Sequence, residues 1–254
     1  MERHRAEIDG TLVSWLSAPR DGTPVLYVHG VPDSAELWTP FLERTGGIAV
    51  DLPGFGESGK PANWPYSIAG YERFLHGFLD HLGLDRVRLV VHDWGAVALT
   101  LGARIERLVA IDALPLLAGH RWHPVARAWR TPVVGELAMG FTSGLTLRRA
   151  GGLTREHAAA VLEHFDHGTQ RAILKLYRAT PPEALAAAGR SLADVRAPAL
   201  VLWGERDRYL DPAIAGRIAA ALGGETVVET VPGAGHWPWL DDGRVIERVA
   251  GFVQ

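Results

Sequence analysis

The chain has 254 residues, 47% hydrophobic and 22% charged, which is enough for one large domain or for a core with an inserted subdomain. Its 26 basic and 29 acidic residues give a net charge of −3, and no cluster of Lys and Arg points to nucleic acid as a partner. The absence of cysteine excludes disulfides, thiolate metal sites and thiol nucleophiles.

The N-terminal stretch MERHRAEIDG lacks the apolar core of a signal peptide. No run approaches the roughly 18 apolar residues of a membrane-spanning helix. We therefore expect a cytoplasmic protein, without a membrane partner, that exists as a monomer or homodimer.

Short apolar runs alternate with helical patterns along the chain. RAEIDGTLVSWLSA predicts an antiparallel hairpin with Asp9-Gly10 as its turn. Asp33 with Glu36, and later Ser67, are typical of helix N-termini. Six further runs predict strands: 24–30, 46–54, 87–93, 106–115, 198–207 and 225–233. Unbroken apolar strands separated by helices indicate an α/β fold with a mostly parallel sheet that is covered on both faces.

The strand pattern stops between Leu114 and Asp194. Four helical patterns follow one another there, separated by Gly and Pro: HPVARAWR, REHAAAVLEHF, TQRAILKLYRA and EALAAAGRSLADV. The sequence therefore predicts a core of residues 1–113 and 195–254, with residues 114–194 as a helical insertion.

Candidate catalytic side chains follow three of the strands. Asp93 stands before Trp94-Gly95, where the glycine permits a tight turn from strand to helix. Asp207 lies in WGERDRYLDP and His236 in the loop PGAGHWPW. Each has an ordinary alternative, as a helix cap, a turn residue or a surface histidine, but nucleophile, acid and histidine in this chain order favour a catalytic triad.

The segment HGVP follows another strand. A backbone N–H here, at Val31, can pair with the N–H of Trp94 to bind a developing oxyanion. Many strands end in glycine, but the following segment DLPGFGESGKP strengthens the interpretation.

Together HGVP, DLPGFGESGKP, HDWG, WGERD and GAGHWPW resemble the α/β-hydrolase fold superfamily, specifically its aspartate-nucleophile branch of epoxide hydrolases and haloalkane dehalogenases. The resemblance implies that Asp93 is the nucleophile, His236 the base and Asp207 the relay acid. It also implies oxyanion donors on the backbone of Val31 and Trp94, residues 114–194 as a cap, and no metal or organic cofactor.

An aspartate nucleophile suits displacement at a saturated carbon. A serine alkoxide would leave an ether there, whereas a carboxylate leaves an ester that water can cleave. The expected substrate is a small apolar organic molecule, with water as the second reactant.

The leaving group separates the two enzyme hypotheses. An epoxide oxygen needs a proton, and the resemblance implies Tyr177, the only cap tyrosine, with His120 or His123 as a second donor. A halide needs N–H donors, and Val31 stands where many dehalogenases carry an asparagine. Trp94 then requires a partner such as Trp122 or Trp129.

We expect an epoxide hydrolase from the sequence. The alternatives are a haloalkane dehalogenase using the same aspartate and a catalytically silent binding protein of this fold. Asp112, in AIDALP, is an alternative relay acid, because some members carry the carboxylate at this position, and otherwise a cap-hinge or pocket residue. Aromatic and neighbouring residues predict an apolar pocket: His29, Trp38, Trp129 and Phe141.

Overall fold

A single eight-stranded sheet forms the centre of the computed structural model, which describes residues 1–149 and 151–254. The strand order is β1-β2-β4-β3-β5-β6-β7-β8; β1, β2 and β4 pair antiparallel, and all later pairings are parallel. The strands are Glu2–Ile8 (β1), Thr11–Ala18 (β2), Val25–Val28 (β3), Gly47–Val50 (β4), Val87–Asp93 (β5), Ile105–Ala113 (β6), Ala199–Gly204 (β7) and Thr226–Val231 (β8). The predicted α/β fold with a mostly parallel sheet is confirmed.

Helices cover both faces of the sheet, because successive residues of the buried strands point to opposite sides. In β5, Leu89 and Val91 belong to the core cluster on one face and Val90 to the cluster on the other. The core helices are Thr39–Thr45 (α1), Ile68–His81 (α2), Ala213–Ala221 (α9), Pro238–Asp241 (α10) and Arg244–Val253 (α11). A 3-10 helix, Trp94–Arg104, follows β5 and packs against α2.

The structure contains two of the three turn and helix-cap features that the sequence predicted in the first 70 residues. Asp9 and Gly10 form the hairpin turn with positive φ angles of 49° and 73°. The Ser67 hydroxyl caps α2 by accepting a hydrogen bond from the Gly70 N–H at 3.2 Å. The predicted capping by Asp33 is wrong. The 3-10 helix Ala35–Trp38 has Ser34 at its N-cap, while the Asp33 side chain is buried.

The residues between β6 and β7 form helices. They are Pro124–Arg130 (α3), Val134–Gly140 (α4), Gly144–Arg149 (α5), Arg155–Glu163 (α6), His167–Ala179 (α7) and Pro182–Ala188 (α8). The sequence patterns did not predict α4 and α5. Three of their large apolar residues, Val134, Leu137 and Leu145, are exposed, so these short helices lack a long apolar face that the sequence would reveal. We keep the division into core and cap as a proposal and call residues 114–194 the cap segment.

In the described residues, 1–149 and 151–254, no helix combines the length and apolar character needed to cross a membrane.

The topology brings three aspartates and a histidine to one edge of the sheet. β3, β5, β6 and β7 are successive neighbours, so their carboxyl ends lie side by side. Asp93, Asp112 and Asp207 occupy or follow three of these ends, and the loop after β8 brings His236 back to them.

Candidate active site

Asp93 lies on a strained turn between β5 and the 3-10 helix. Its φ of 47° and ψ of −121° are unusual for a residue other than glycine. Gly95 makes the turn possible, since a Cβ there would lie 2.1 Å from the carbonyl oxygen of Val28. The geometry is that of a nucleophile elbow, which exposes one side chain at the top of a sheet.

Two backbone N–H groups bind the Asp93 carboxylate. The Val31 N–H donates to Oδ2 at 2.9 Å, and the Trp94 N–H also donates to the carboxylate. Burial raises the pKa of Asp93 to about 6, although His236 and the two N–H groups oppose the rise. The same two donors would hold an oxyanion formed at this carbon.

His236 lies between Asp93 and Asp207. Its Nδ1–H donates to Oδ2 of Asp207 at 2.8 Å, while Nε2 faces Oδ1 of Asp93 at 4.0 Å. Burial works against the charged imidazole, but the charges of Asp207, Asp93 and Asp33 raise the pKa of His236 above 6.5. The ring is therefore oriented by one carboxylate, with its free nitrogen toward the other.

Asp207 is held from several sides. Its Oδ1 accepts the backbone N–H groups of Tyr209 at 2.7 Å and Leu210 at 3.1 Å. Burial alone would raise the pKa of Asp207, but the interactions with His236 outweigh it and lower the pKa. Asp112, the alternative acid, lies behind Asp207, and it is Asp207 that bonds to Nδ1 of His236. Asp112 does not line the cavity above Asp93, so its expected place as a pocket residue is wrong.

A cavity of about 220 Å³ opens above Asp93 between the core and the cap segment. Its lining is mostly apolar and includes Asp93, His236 and Val31 together with five further residues that the sequence placed at the site. These are Trp122, His123, Trp129, Phe141 and Tyr177. The volume falls below the 300–1,000 Å³ that is common for drug-sized ligands, which indicates a small substrate.

Two stacked indole rings lie at this site; Trp122 lines the cavity, and Trp94 lies behind it. The rings of Trp94 and Trp122 stack with centroids 5.8 Å apart; within the described residues the buried Nε1 of Trp122 has no hydrogen-bond partner, whereas the indole of Trp94 interacts with the hydroxyl of Tyr177. The Arg130 guanidinium lies 5.5 Å from the centre of the Trp122 ring and also bonds to the carbonyl oxygen of Tyr177. Buried donors without partners are rare in folded proteins, so the Trp122 N–H, on a ring that lines the cavity, suggests a ligand.

Tyr177 packs among tryptophan rings as well as lining the cavity. Its ring lies 5.0 Å from that of Trp94, 5.2 Å from Trp122 and 5.1 Å from Trp129. Burial, with the nearby charge of Asp93, raises the pKa of Tyr177 well above 10. The hydroxyl therefore stays protonated.

The two histidines proposed as second proton donors differ. His120 is absent from the cavity lining and packs its ring edge-on against Trp122. His123 lines the cavity, but its Nδ1 caps α3 by accepting the Ala126 N–H at 3.3 Å. Burial lowers the pKa of each to about 4, so both rings are neutral near pH 7.

Two expected pocket residues lie elsewhere. Trp38 is fully buried below the site and stacks on Trp239 at 5.6 Å. His29 is also fully buried, and its Nε2 accepts the Leu52 N–H at 3.1 Å, which ties the oxyanion loop to the loop after β4. The placement of Trp38 and His29 in the pocket is therefore wrong, because both rings serve packing.

Sequence reasoning missed a buried connection between the core and the cap segment. His157 on α6 donates from Nε2 to Oδ1 of Asp33 at 2.6 Å, and the indole of Trp237 donates to Oδ2 at 3.0 Å. These contacts lower the pKa of Asp33 to about 2 despite burial. The only local signals were the neighbouring HGVP and GAGHWPW segments, because His157 is 124 residues away along the chain.

His92 and Tyr209 also shape the site. The His92 Nε2–H donates to the carbonyl oxygen of His236 at 2.7 Å, and burial lowers the pKa of His92 to about 3. The Tyr209 ring lies 5.0 Å from that of His236, and its hydroxyl donates to the Gly151 carbonyl at 2.8 Å. His92 directly precedes Asp93, and Tyr209 follows Asp207 by two residues. This closeness in sequence is the signal from which both could have been predicted.

Residues 25–249 match the sequence profile of the alpha/beta hydrolase family, and the chain belongs to that family. It belongs more closely with the aspartate-nucleophile, dehalogenase-like branch. A haloalkane dehalogenase of Bradyrhizobium diazoefficiens is 30% identical, with 100% of this chain and 94% of that protein aligned.

Two further proteins that the chain resembles are also haloalkane dehalogenases. A haloalkane dehalogenase of Mesorhizobium japonicum is 35% identical over 53% of this chain and 48% of its own length. The crystal structure of the haloalkane dehalogenase DbeA of Bradyrhizobium elkanii superposes with a TM-score of 0.84, at 28% identity, over 99% of this chain and 97% of that one.

Proposed function

We propose that this chain is a haloalkane dehalogenase that uses Asp93 as its nucleophile and releases halide, a proton and an alcohol. The observation that carries the proposal is the buried indole N–H of Trp122, which lacks a hydrogen-bond partner among the described residues and belongs to a ring that lines the same cavity as Asp93 and stacks on Trp94. The names of the relatives support this alternative and not the epoxide hydrolase expected from the sequence.

The first step is displacement at carbon. A carboxylate oxygen of Asp93 attacks the substrate carbon from the side opposite the halogen, a C–O bond forms, and the halogen leaves with the bonding electrons. The Trp94 and Trp122 N–H groups donate to the halide as its charge develops. An apolar cavity strengthens these bonds because little water competes with them.

The second step is hydrolysis of the aspartyl ester. The 4.0 Å separation between Nε2 of His236 and Oδ1 of Asp93 allows His236 to act on a water that attacks the ester carbon. Asp207 stabilises the imidazolium, and the N–H groups of Val31 and Trp94 bind the oxyanion. Collapse releases the alcohol and restores the carboxylate.

Epoxide opening remains a second candidate because Tyr177 lines the same cavity with a protonated hydroxyl. A single tyrosine could protonate the epoxide oxygen while Asp93 attacks. His120 does not line the cavity and so offers no second donor there. A catalytically silent binding protein would not need a nucleophile, base and acid in this relation.

The test supplies 1,2-dibromoethane and styrene oxide separately and follows bromide and diol. We expect bromide release from the wild type and none from Asp93→Asn. Diol without bromide would contradict the proposal in favour of epoxide hydrolysis. No product above the uncatalysed background from either wild type or Asp93→Asn would indicate a binding protein.

A further inference from the structure

His123 lines the substrate cavity, and the proposed chemistry gives it no task. The residue is the N-cap of α3, where its Nδ1 accepts the Ala126 N–H at 3.3 Å. A ring nitrogen that accepts a hydrogen bond carries no proton, so the one proton of a neutral imidazole lies on the other nitrogen. The helix cap therefore fixes the tautomer of His123, with its N–H at Nε2.

The His123 ring is neutral near pH 7, because burial lowers its pKa to about 4. The charges of His236 and His120 lower the pKa in the same direction, whereas the charge of Asp207 opposes them. A neutral imidazole offers its N–H to an acceptor without giving up the proton. The ring is thus suited to binding a ligand rather than to acting as an acid.

Nε2 of His123 is open to a ligand. No side chain or carbonyl among the described residues bonds to it, and the atom is not fully enclosed, in contrast to the indole nitrogen of Trp122. A polar atom of this kind binds water or a ligand rather than the protein. Because the ring lines the cavity, an acceptor on a bound substrate can meet this N–H.

Three hydroxyls of the cavity wall, by contrast, are already engaged. The hydroxyls of Thr142, Thr146 and Tyr209 donate to backbone carbonyl oxygens at 3.1, 2.9 and 2.8 Å. Each of them would have to break its hydrogen bond before it could donate to a substrate. The Nε2–H of His123 breaks no bond within the described protein when it binds an acceptor.

The position of His123 indicates which part of a substrate it meets. Its ring lies 5.1 Å from that of Tyr209, which in turn lies 5.0 Å from the ring of His236. His123 is therefore one aromatic ring further from the reaction centre than the base. A substrate whose halogenated carbon lies against Asp93 presents a more distant atom to Nε2.

We propose that His123 is a specificity residue that selects haloalkanes carrying an oxygen acceptor, such as an ether, a few bonds from the halogenated carbon. The Nε2–H donates to this oxygen and orients the chain, while the apolar wall packs against the methylene groups. The substrate class rests on the proposed function, whereas the tautomer and the binding of an ether oxygen do not.

Two bromides test the selection: 1-bromo-3-methoxypropane and 1-bromopentane, in which a methylene group replaces the ether oxygen. His123→Ser keeps an oxygen that can cap α3 but is too short to place a donor at Nε2. We expect the ratio of kcat/KM for the ether to that for the alkane to fall roughly 3- to 10-fold, the effect of one neutral hydrogen bond.

Val125→Ala is the matched control, because Val125 lies on the same helix and lines the same cavity but carries no donor. Its ratio should stay within about 1.5-fold of wild type. An unchanged ratio in His123→Ser, or an equal fall in Val125→Ala, would overturn the proposal.

Nitrogen NMR of histidine-labelled protein tests the donor without turnover. At pH 7 the His123 signals, assigned by their loss in His123→Ser, should show a protonated Nε2 and a bare Nδ1. Addition of 1,2-dimethoxyethane should shift the Nε2 signal, and hexane should not. The opposite tautomer, or an Nε2 signal that the ether does not move, would refute the proposal. If the NMR results are as expected but wild type releases no bromide, the proposed function alone fails.

Discussion

Replacing Trp122 by phenylalanine removes one indole N–H while an aromatic ring remains in place. In the structure that N–H is buried and has no partner among the described residues, and its ring stacks on that of Trp94. A hydrogen bond to a charged acceptor in such a place contributes about 1.5–3 kcal/mol. With tenfold in rate for each 1.36 kcal/mol, kcat/KM for 1,2-dibromoethane should fall roughly 10- to 150-fold.

The assay is stopped-flow release of bromide, which isolates the displacement step as a burst. The burst rate should fall in Trp122→Phe, while hydrolysis of the accumulated ester should change by less than about threefold, since the halide has already left. Trp94→Phe should behave in the same way because its backbone N–H is unaffected.

Trp129→Phe is the matched control. Trp129 lines the same cavity and touches Tyr177, but it does not form the stacked pair. We expect a change of less than about threefold in its burst rate. A full burst rate in Trp122→Phe, or equal losses in Trp122→Phe and Trp129→Phe, would refute the assignment of the halide site.

The remaining predictions concern pH dependence and stability. Asp93, with a pKa of about 6, must be ionised to attack, and His236, with its pKa raised, must be neutral to activate water. Bromide turnover should therefore decline as pH falls from 8 to 5. A rise toward acid pH would contradict this prediction. Because the pKa of Asp33 is lowered to about 2, its stabilising effect is complete above its usual value of 3.8 and is lost only as pH falls toward 2. Asp33→Asn should therefore lower the free energy of unfolding in urea at pH 7 by about 2–4 kcal/mol, and unchanged stability would count against the Asp33 connection. Gly95→Ala should lower the free energy of unfolding by about 3 kcal/mol, since its Cβ would lie 2.1 Å from a carbonyl oxygen. Gly216→Ala, which has open space around it, should leave the stability unchanged. Equal effects of the two substitutions would contradict the close approach at Gly95.

The sequence pointed to Asp93, Asp207 and His236 as candidates because each stands in a recognisable local motif, and the structure brings the three side chains together. A carboxylate before Trp-Gly, an acid after the next strand but one, and a histidine in a glycine-rich loop all lie at strand ends, and a parallel sheet brings such ends together. What the sequence could not decide was the relation of Asp207 to Asp112. Both follow strands of the same edge, and only the three-dimensional distance to Nδ1 of His236 separates them.

Side-chain direction accounts for most of the other errors. Trp38 and Trp122 are both aromatic residues near site segments, yet Trp38 points into the core and Trp122 into the cavity. Asp33 carries the local signature of a helix cap, but a buried bond to His157 on the distant cap segment outweighs it. The choice of leaving group depends on the orientation of Trp94, Trp122 and Tyr177, which composition and spacing do not contain.

Trapping the covalent ester tests the central claim most directly. His236→Ala removes the base of the second step but leaves Asp93 and both indole N–H groups, so alkylation should proceed and hydrolysis should stop. With 1,2-dibromoethane we expect one bromide per chain in a single burst, and mass spectrometry should find a bromoethyl group on the Asp93 carboxylate. A burst without modification of Asp93, or continued turnover in His236→Ala, would contradict the account.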